Sequence, residues 1–388
     1  MIKLPQGWEV KKLEEVCKNS SSNLALKDIK DKNGQYPVFG ASGIVGYVDF
    51  YHKDKECLGI VKDGAGVGRV FVLPKNTSVI GTLNYLEALE NTNLKYLFYF
   101  LCSVDFSKYI LGSAIPHIYF RDYKKEQIPL PPLQEQERIV GILDESFAKI
   151  DESIKILEQD LLNLDELMQS ALQKAFNPLK DNTKENYTLP QGWEWKSLGE
   201  ICFITDGTHK TPSYIKTGIP FLSVKNISKG FFDLSDIKYI SLEEHNKLIK
   251  RAKPEFGDIL ICRIGTLGKA IKISLEFEFS IFVSLGLLKP KVKIISDYLV
   301  YFLNSYFIEG WIDNNKVGGG THTAKLNLNI LEKCPIALPP LKEQEQIASY
   351  LDELSSHVKN LKQNYQMQIK NLQELKKSLL DKAFQGRL

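Results

Sequence analysis

Cysteine pairs are missing from this sequence. The six cysteines stand singly, with no CxxC and no metal-type Cys/His spacing, which argues against a disulfide framework or a zinc module. Cys17 and Cys202 sit in apolar surroundings at matching places in a repeat, as expected of buried thiols in a reducing compartment. No apolar run approaches 18 residues, and residues 1–5 do not read as a signal peptide, so no membrane association and a cytoplasmic location are expected. An excess of one charge is missing too. A net charge of +3 over 388 residues excludes a uniformly basic nucleic-acid binder, so any anion-binding surface must be local. The 43% hydrophobic and 25% charged content is that of ordinary globular protein, and the length suits two or three domains.

Catalytic signatures are absent as well. Gly265-Thr266-Leu267-Gly268-Lys269-Ala270 has too few residues between its glycines for a P-loop and no hydroxyl residue after the lysine. Gly64-Ala65-Gly66-Val67-Gly68 falls one residue short of GxGxxG and reads as a hairpin turn. Asn177-Pro178-Leu179 departs from the aromatic-ended Asn-Pro-Pro pattern of adenine methyltransferases. Glu374-Leu375-Lys376 has the Glu-x-Lys of many nucleases, but it lies in a long helical run with no preceding acidic partner. No catalytic and no metal-ligating residue is assigned. The chain reads as a binder.

What is present is a duplication. Pro131-Pro132-Leu133-Gln134-Glu135-Gln136-Glu137 returns as Pro339-Pro340-Leu341-Lys342-Glu343-Gln344-Glu345, an offset of 208. Proline pairs force extended backbone, and Glu and Gln in the next turn favour a helix start. Each copy then runs without proline to a Lys-Ala-Phe ending, at residues 174–176 and 382–384. Leu143, Phe147, Ile150, Ile154, Leu157, Leu161, Leu164, Met168, Ala171 and Ala175 make a heptad seam. The equivalent seam of the second helix (Leu351, Ser355, Val358, Lys362, Tyr365, Ile369, Leu372, Lys376, Leu379, Ala383) is weaker, with Leu361 and Leu375 beside two of its polar positions. Those polar positions are expected in part to face another subunit. Roughly 40 helical residues span about 60 Å, so the two helices read as rods lying against each other.

The globular segments share edges and differ in their middles. Leu4-Pro5-Gln6-Gly7-Trp8-Glu9 recurs as Leu189-Pro190-Gln191-Gly192-Trp193-Glu194 at an offset of 185, so the second segment is longer by 208 − 185 = 23 residues. Common edges imply a common scaffold; unlike middles imply two ligands. The domain plan is 1–133, a helix over 134–177, a polar linker over 178–188, a second domain over 189–341, and a helix over 342–388. In the first middle, short strands joined by glycine turns are predicted over 36–47, with strands at 58–61 and 70–73, a helix over 94–106, and a loop leading into a strand at 112–121. In the second, strands are predicted at 220–224, 259–262 and 270–273.

Two glycine loops, 62–69 and 263–269, recur at matching places. Glycine lets backbone approach a phosphate, and a flanking Lys or Arg supplies charge. Candidate DNA contacts in the first domain are Lys62, Arg69, Ser113, His117 and Arg121. In the second they are Thr208, His209, Lys210, Thr211, Lys225 and Asn226, the loop residues Arg263, Thr266 and Lys269, and then Thr321, His322, Thr323 and Lys325. Gln134, Glu135, Gln136, Lys342, Glu343 and Gln344, in the first turns of the long helices, are the candidate docking edge for partner proteins.

Two variable segments, each opened by Leu-Pro-x-Gly-Trp-Glu and closed by Leu-Pro-Pro-Leu-x-Glu-Gln before a long helix ending Lys-Ala-Phe, resemble the specificity subunit of type I restriction-modification systems. The resemblance covers essentially the whole chain. Residues 36–47 resemble one class of target recognition domain in that family; Asp206-Gly207-Thr208-His209 with residues 218–222 resembles another. It implies a mixed α/β (α+β) fold, with two recognition domains separated by two long antiparallel helices in a pseudo-twofold, circular arrangement that returns residues 382–384 near Leu4. It also implies that each domain reads half of a split double-stranded DNA site and that the helices fix the spacing. Two modification subunits would then methylate adenine with S-adenosylmethionine, and restriction subunits would add ATP- and Mg2+-dependent translocation and cleavage. This chain itself would bind no cofactor and perform no chemistry. Rival readings are the specificity subunit of a fused restriction-methylation enzyme, a stand-alone DNA-modifying enzyme, and a coiled-coil scaffold that binds no DNA.

Overall fold

All five residues of the strand Cys57–Val61 are buried, as a strand covered on both faces requires. Leu58 and Ile60 join one hydrophobic cluster, and Cys57 and Val61 another on the opposite face. This strand lies inside an antiparallel sheet of order Cys17–Ser21, Leu83–Ala88, Cys57–Val61, Val70–Leu73. A smaller sheet pairs Gly43–Val48 with Tyr36–Gly40 and, in parallel, Ser78–Val79. Glu9–Lys12 and Gln127–Leu130 tie the two edges of the domain together. The computed structural model describes residues 4–29, 33–112, 115–176, 189–318 and 324–388; the predicted linker at 178–188 lies outside them.

The chain divides into two compact units, one of residues 1–158 with 365–388 and one of residues 159–364. The second repeats the topology of the first. Its main sheet runs Cys202–Asp206, Leu285–Pro290, Ile259–Cys262, Ala270–Lys272; its small sheet holds Lys238–Ile240, Ile219–Leu222 and Ser280–Ile281; Glu194–Ser197 pairs with Pro335–Leu338. The offset between equivalent residues is 185 at Cys17/Cys202, 202 at Ala88/Pro290 and 208 at Ile128/Ile336. The 23 extra residues therefore enter as 17 before Pro290, where the helix Leu242–Leu248 is found, and six more near the helix Tyr306–Asn315. One expectation fails here: residues 120–123 form a helical turn, Phe120–Tyr123, and the strand begins only at Gln127.

The long helices are Leu133–Ala175 and Leu341–Phe384, and each unit holds the start of one and the end of the other. Between residues 151 and 170 only positions 154, 157, 160, 161, 164 and 168 escape full exposure, so the heptad seam is the buried stripe. All ten seam positions of the second helix are buried or half-buried too, whereas Leu361 and Leu375 are exposed. Its polar positions do not turn outward. In unit 1 Lys376 pairs with Asp151, and in unit 2 Lys362 pairs with Asp165. Within unit 1 Arg138 donates to Leu388 O at 2.8 Å while Lys376 meets Asp151, so the second helix runs back along the first.

The Lys-Ala-Phe endings close the cores. Phe384 meets Tyr96 and Phe100 edge-on at 5.2 and 5.4 Å between ring centroids; Phe176 meets Tyr298 and Phe302 at 5.7 and 5.2 Å. Tyr96 donates to Pro129 O at 2.6 Å and Tyr298 to Ala337 O at 2.5 Å, which explains buried tyrosines in otherwise apolar clusters. Trp8, near the start of the chain, packs on the same cluster as Phe384, so the expected return of the second helix toward Leu4 is found within unit 1.

Candidate nucleic-acid interface

Each unit builds a polar rim from two loops that the sequence separates widely. In unit 1 the hairpin between Cys57–Val61 and Val70–Leu73 meets the segment around residue 117: Gly64 N–H donates to Pro116 O at 2.8 Å and Ile118 N–H to Lys62 O at 2.9 Å. In unit 2 Leu326 N–H donates to Arg263 O at 2.8 Å, and Ile264 bridges Lys325. Lys62 and Arg263 thus hold equivalent places. The hairpins need their last glycines for shape: Gly68 and Gly268 have φ of 85° and 79°, and a Cβ there would lie 2.9 Å from Phe106 and 2.4 Å from Ile312. These two glycines fit hairpin to core and offer no approach to a ligand.

The described unit 1 candidates remain accessible. Lys62 is 3.6 Å from Asp63, and Arg69 donates to Ala41 O at 3.0 Å on the surface. The exposed guanidinium of Arg121 lies 4.5 Å from the ring centroid of Tyr119, whose ring also meets His117 at 5.0 Å. An arginine stacked on an aromatic face beside an imidazole is a common platform for nucleic acid. Ser113 lies outside the described residues, as do Thr321, His322 and Thr323.

Unit 2 corrects two expectations. Arg263 is 7% exposed; its guanidinium is spent on Asp206, on Val283 O at 3.1 Å and on Leu326 O at 3.1 Å. Asn226 is 4% exposed, accepting from Ser223 N–H at 2.9 Å and donating to Asp233 O at 3.0 Å. Both hold loops in place, because a buried polar group left unpaired is costly. Lys210, Thr211, Lys225, Thr266 and Lys325 are exposed, and Lys269 is half-buried.

Asp206, quoted from sequence only within a family motif and not among the candidate contacts, is the hub of this rim. Its carboxylate is 1% exposed and takes Arg251, Arg263 and, at 3.1 Å, His209 Nε2. Arg251 Nε also donates to Asp206 O at 3.2 Å. Thr208, His209 and Lys210 come together with Lys247, Leu248 and Arg251 around an open cleft of about 330 Å3. Lys247 and Arg251 are functional candidates that sequence reading missed. Their only local signal is a basic run at the end of a short helix.

The docking edge is corrected in the same way. Gln136 is fully buried: its Oε1 accepts from Asn93 N–H at 2.7 Å, and its Nε2 donates to Pro131 O at 2.8 Å and Asn91 O at 2.9 Å. Gln344, 2% exposed, accepts from Ile295 N–H at 3.0 Å and donates to Pro339 O at 2.8 Å. Neither amide is free to meet a partner. Gln134 and Lys342 are exposed, while Glu135 is bound to Arg138 at 2.7 and 2.8 Å and Glu343 is half-buried.

Residues 5–161 and 190–371 match the family described as type I restriction modification DNA specificity domain. The chain is 26% identical to the EcoBI type I restriction enzyme specificity subunit of Escherichia coli over 71% of its own length and 61% of that relative's. It is also 26% identical to a putative type I restriction enzyme specificity subunit of Haemophilus influenzae, over 96% of this chain and 94% of that one. A chain from a solved structure on complex assembly and conformational transition of the type I R-M system shares its fold, with a TM-score of 0.78, 23% identity and full coverage of both. Among the described residues, no helix is long and apolar enough to cross a membrane.

Proposed function

This chain belongs to the type I restriction modification DNA specificity family, and we propose that its two units each read one half of a split double-stranded DNA site. It acts as the specificity subunit. The observation that carries the two-headed reading is the repeat of one scaffold with unlike rims. The buried glutamine, the aromatic trio and the paired edge strands recur in register, whereas the rims differ at equivalent places: accessible Lys62 against buried Arg263, Arg69 against Lys269, and His117 against Lys325. Two scaffolds under the same constraint with different surface chemistry suit two different base sequences.

In this reading the antiparallel helices fix the gap between half-sites, since a packed helix pair holds a distance that a flexible linker would blur. Two modification subunits dock on the exposed residues of the helix starts, Gln134 and Lys342 among them, and methylate adenine with S-adenosylmethionine. Restriction subunits supply ATP- and Mg2+-dependent translocation and cleavage. This chain chooses the site in the cytoplasm and leaves the chemistry to its partners.

The test is selection of bound duplexes from a random pool by the purified chain with its modification subunits, followed by sequencing. Two unlike half-motifs separated by a fixed run of unspecified bases are expected. One continuous motif, or no enrichment, would contradict the proposal.

A further inference from the structure

The cleft lined by Thr208, His209, Lys210, Lys247 and Arg251 carries an excess of positive charge. Four cations meet here, Arg251, Arg263, Lys210 and Lys247, against two carboxylates, Asp206 and Glu243. Asp206 carries both arginines and is itself buried, so it neutralises the inner one and leaves Arg251 in excess at the mouth. Glu243 meets Lys247 at 2.8 Å with both side chains well exposed, a contact that water screens strongly. Two positive charges remain before His209 is counted.

The arginine geometry points the same way. Arg251 Nε and one terminal nitrogen are held from behind by the carbonyl and carboxylate of Asp206, yet 55% of the side chain is exposed. A guanidinium pinned along its Nε edge keeps its outer N–H donors and its charge turned to the cleft mouth, a combination that suits phosphate oxygens. Lysine ammonium groups are point charges of the same use.

We propose that this cleft is the seat of a DNA backbone phosphate in unit 2, with Arg251 and Lys210 as its principal donors and Lys247 flanking. The proposal rests on the DNA-reading function above and adds which contacts position the duplex without reading its sequence. Residues for base reading then lie elsewhere on the rim. Asp206 fixes Arg251 at the cleft mouth and holds His209 beside it.

The test is a salt titration of binding by the full chain to two duplexes, one enriched by selection and one of random sequence. Arg251→Ala and Lys210→Ala are compared with wild type, with thermal unfolding recorded for each. Each lost phosphate contact is expected to flatten the slope of log K against log salt by about 0.9 and to weaken both duplexes alike, by about tenfold. Arg251→Lys should recover most of the slope. Lys210 is exposed and removes a charge without touching the core, so it keeps the test decisive if Arg251→Ala unfolds. Unchanged slopes would overturn the proposal, as would losses confined to the enriched duplex, which mark a base reader. A wild-type chain with no salt-dependent binding to either duplex would instead remove the DNA-reading function on which the proposal rests.

Discussion

Lys376, on the second long helix, pairs with the carboxylate of Asp151 on the first, and its ammonium stands 4.9 Å from the ring centroid of Phe147. A lysine in a heptad seam is thereby made compatible with burial: its stem packs while its charge finds an anion and an aromatic face. Lys376→Asp is expected to lower stability by about 1 kcal/mol, and the double exchange with Asp151→Lys to recover about half of it, since an exposed pair contributes only about 0.2–1 kcal/mol. Urea unfolding of the four members of the cycle measures this. Strict additivity would show that the two residues do not interact.

The buried glutamines are expected to matter for folding rather than docking. Gln136→Ala leaves Asn93 N–H and two carbonyls without partners, which costs about 2–3 kcal/mol. Gln344→Ala, with fewer bonds to lose, should cost somewhat less. Thermal unfolding decides it: an unchanged melting temperature with lost partner binding would return both residues to the docking edge.

Much of this fold was legible in the sequence because it obeys short-range rules. The repeated prolines, the hairpin strands and the heptad seam all emerge from local periodicity. What stayed hidden depends on distant partners. Lys362 and Lys376 read as positions turned toward another subunit because one helix's pattern does not contain the aspartates of the other. Arg263 beside a glycine looked like a free reader, whereas its fate is set by Asp206, 57 residues earlier. Gln136 and Gln344 recur because each satisfies backbone at a helix start, and recurrence alone does not separate that role from a shared docking surface. Lys247 and Arg251 reach the rim only through the fold.

Asp206→Asn is expected to destabilise unit 2 by about 3–5 kcal/mol, because Arg263 stays buried with its counter-charge gone. Calorimetry measures it. A shift within the range of a surface substitution would show that the buried arginine is satisfied by Val283 O and Leu326 O alone.

Thiol chemistry tests the cores directly. Burial pushes the thiols of Cys17, Cys202, Cys262 and Cys334 up to about 12 and that of Cys57 up to about 11. A raised value disfavours the thiolate, so at pH 8 on the order of one part in ten thousand of a thiol near 12 is reactive. These five cysteines should resist iodoacetamide in the native protein and react once it is unfolded in urea. Fast native labelling of Cys17 or Cys202 would contradict the packing around them.

The spacing function of the helix pair can be measured by removing residues 152–158 together with 369–375, seven matched residues from each helix between the Lys376–Asp151 and Lys362–Asp165 pairs. Seven residues of helix are about 10.5 Å, or about 3 base pairs of duplex. Selection of bound duplexes by the shortened chain is expected to return the same two half-motifs with a gap about 3 base pairs shorter; an unchanged gap would contradict the spacing role.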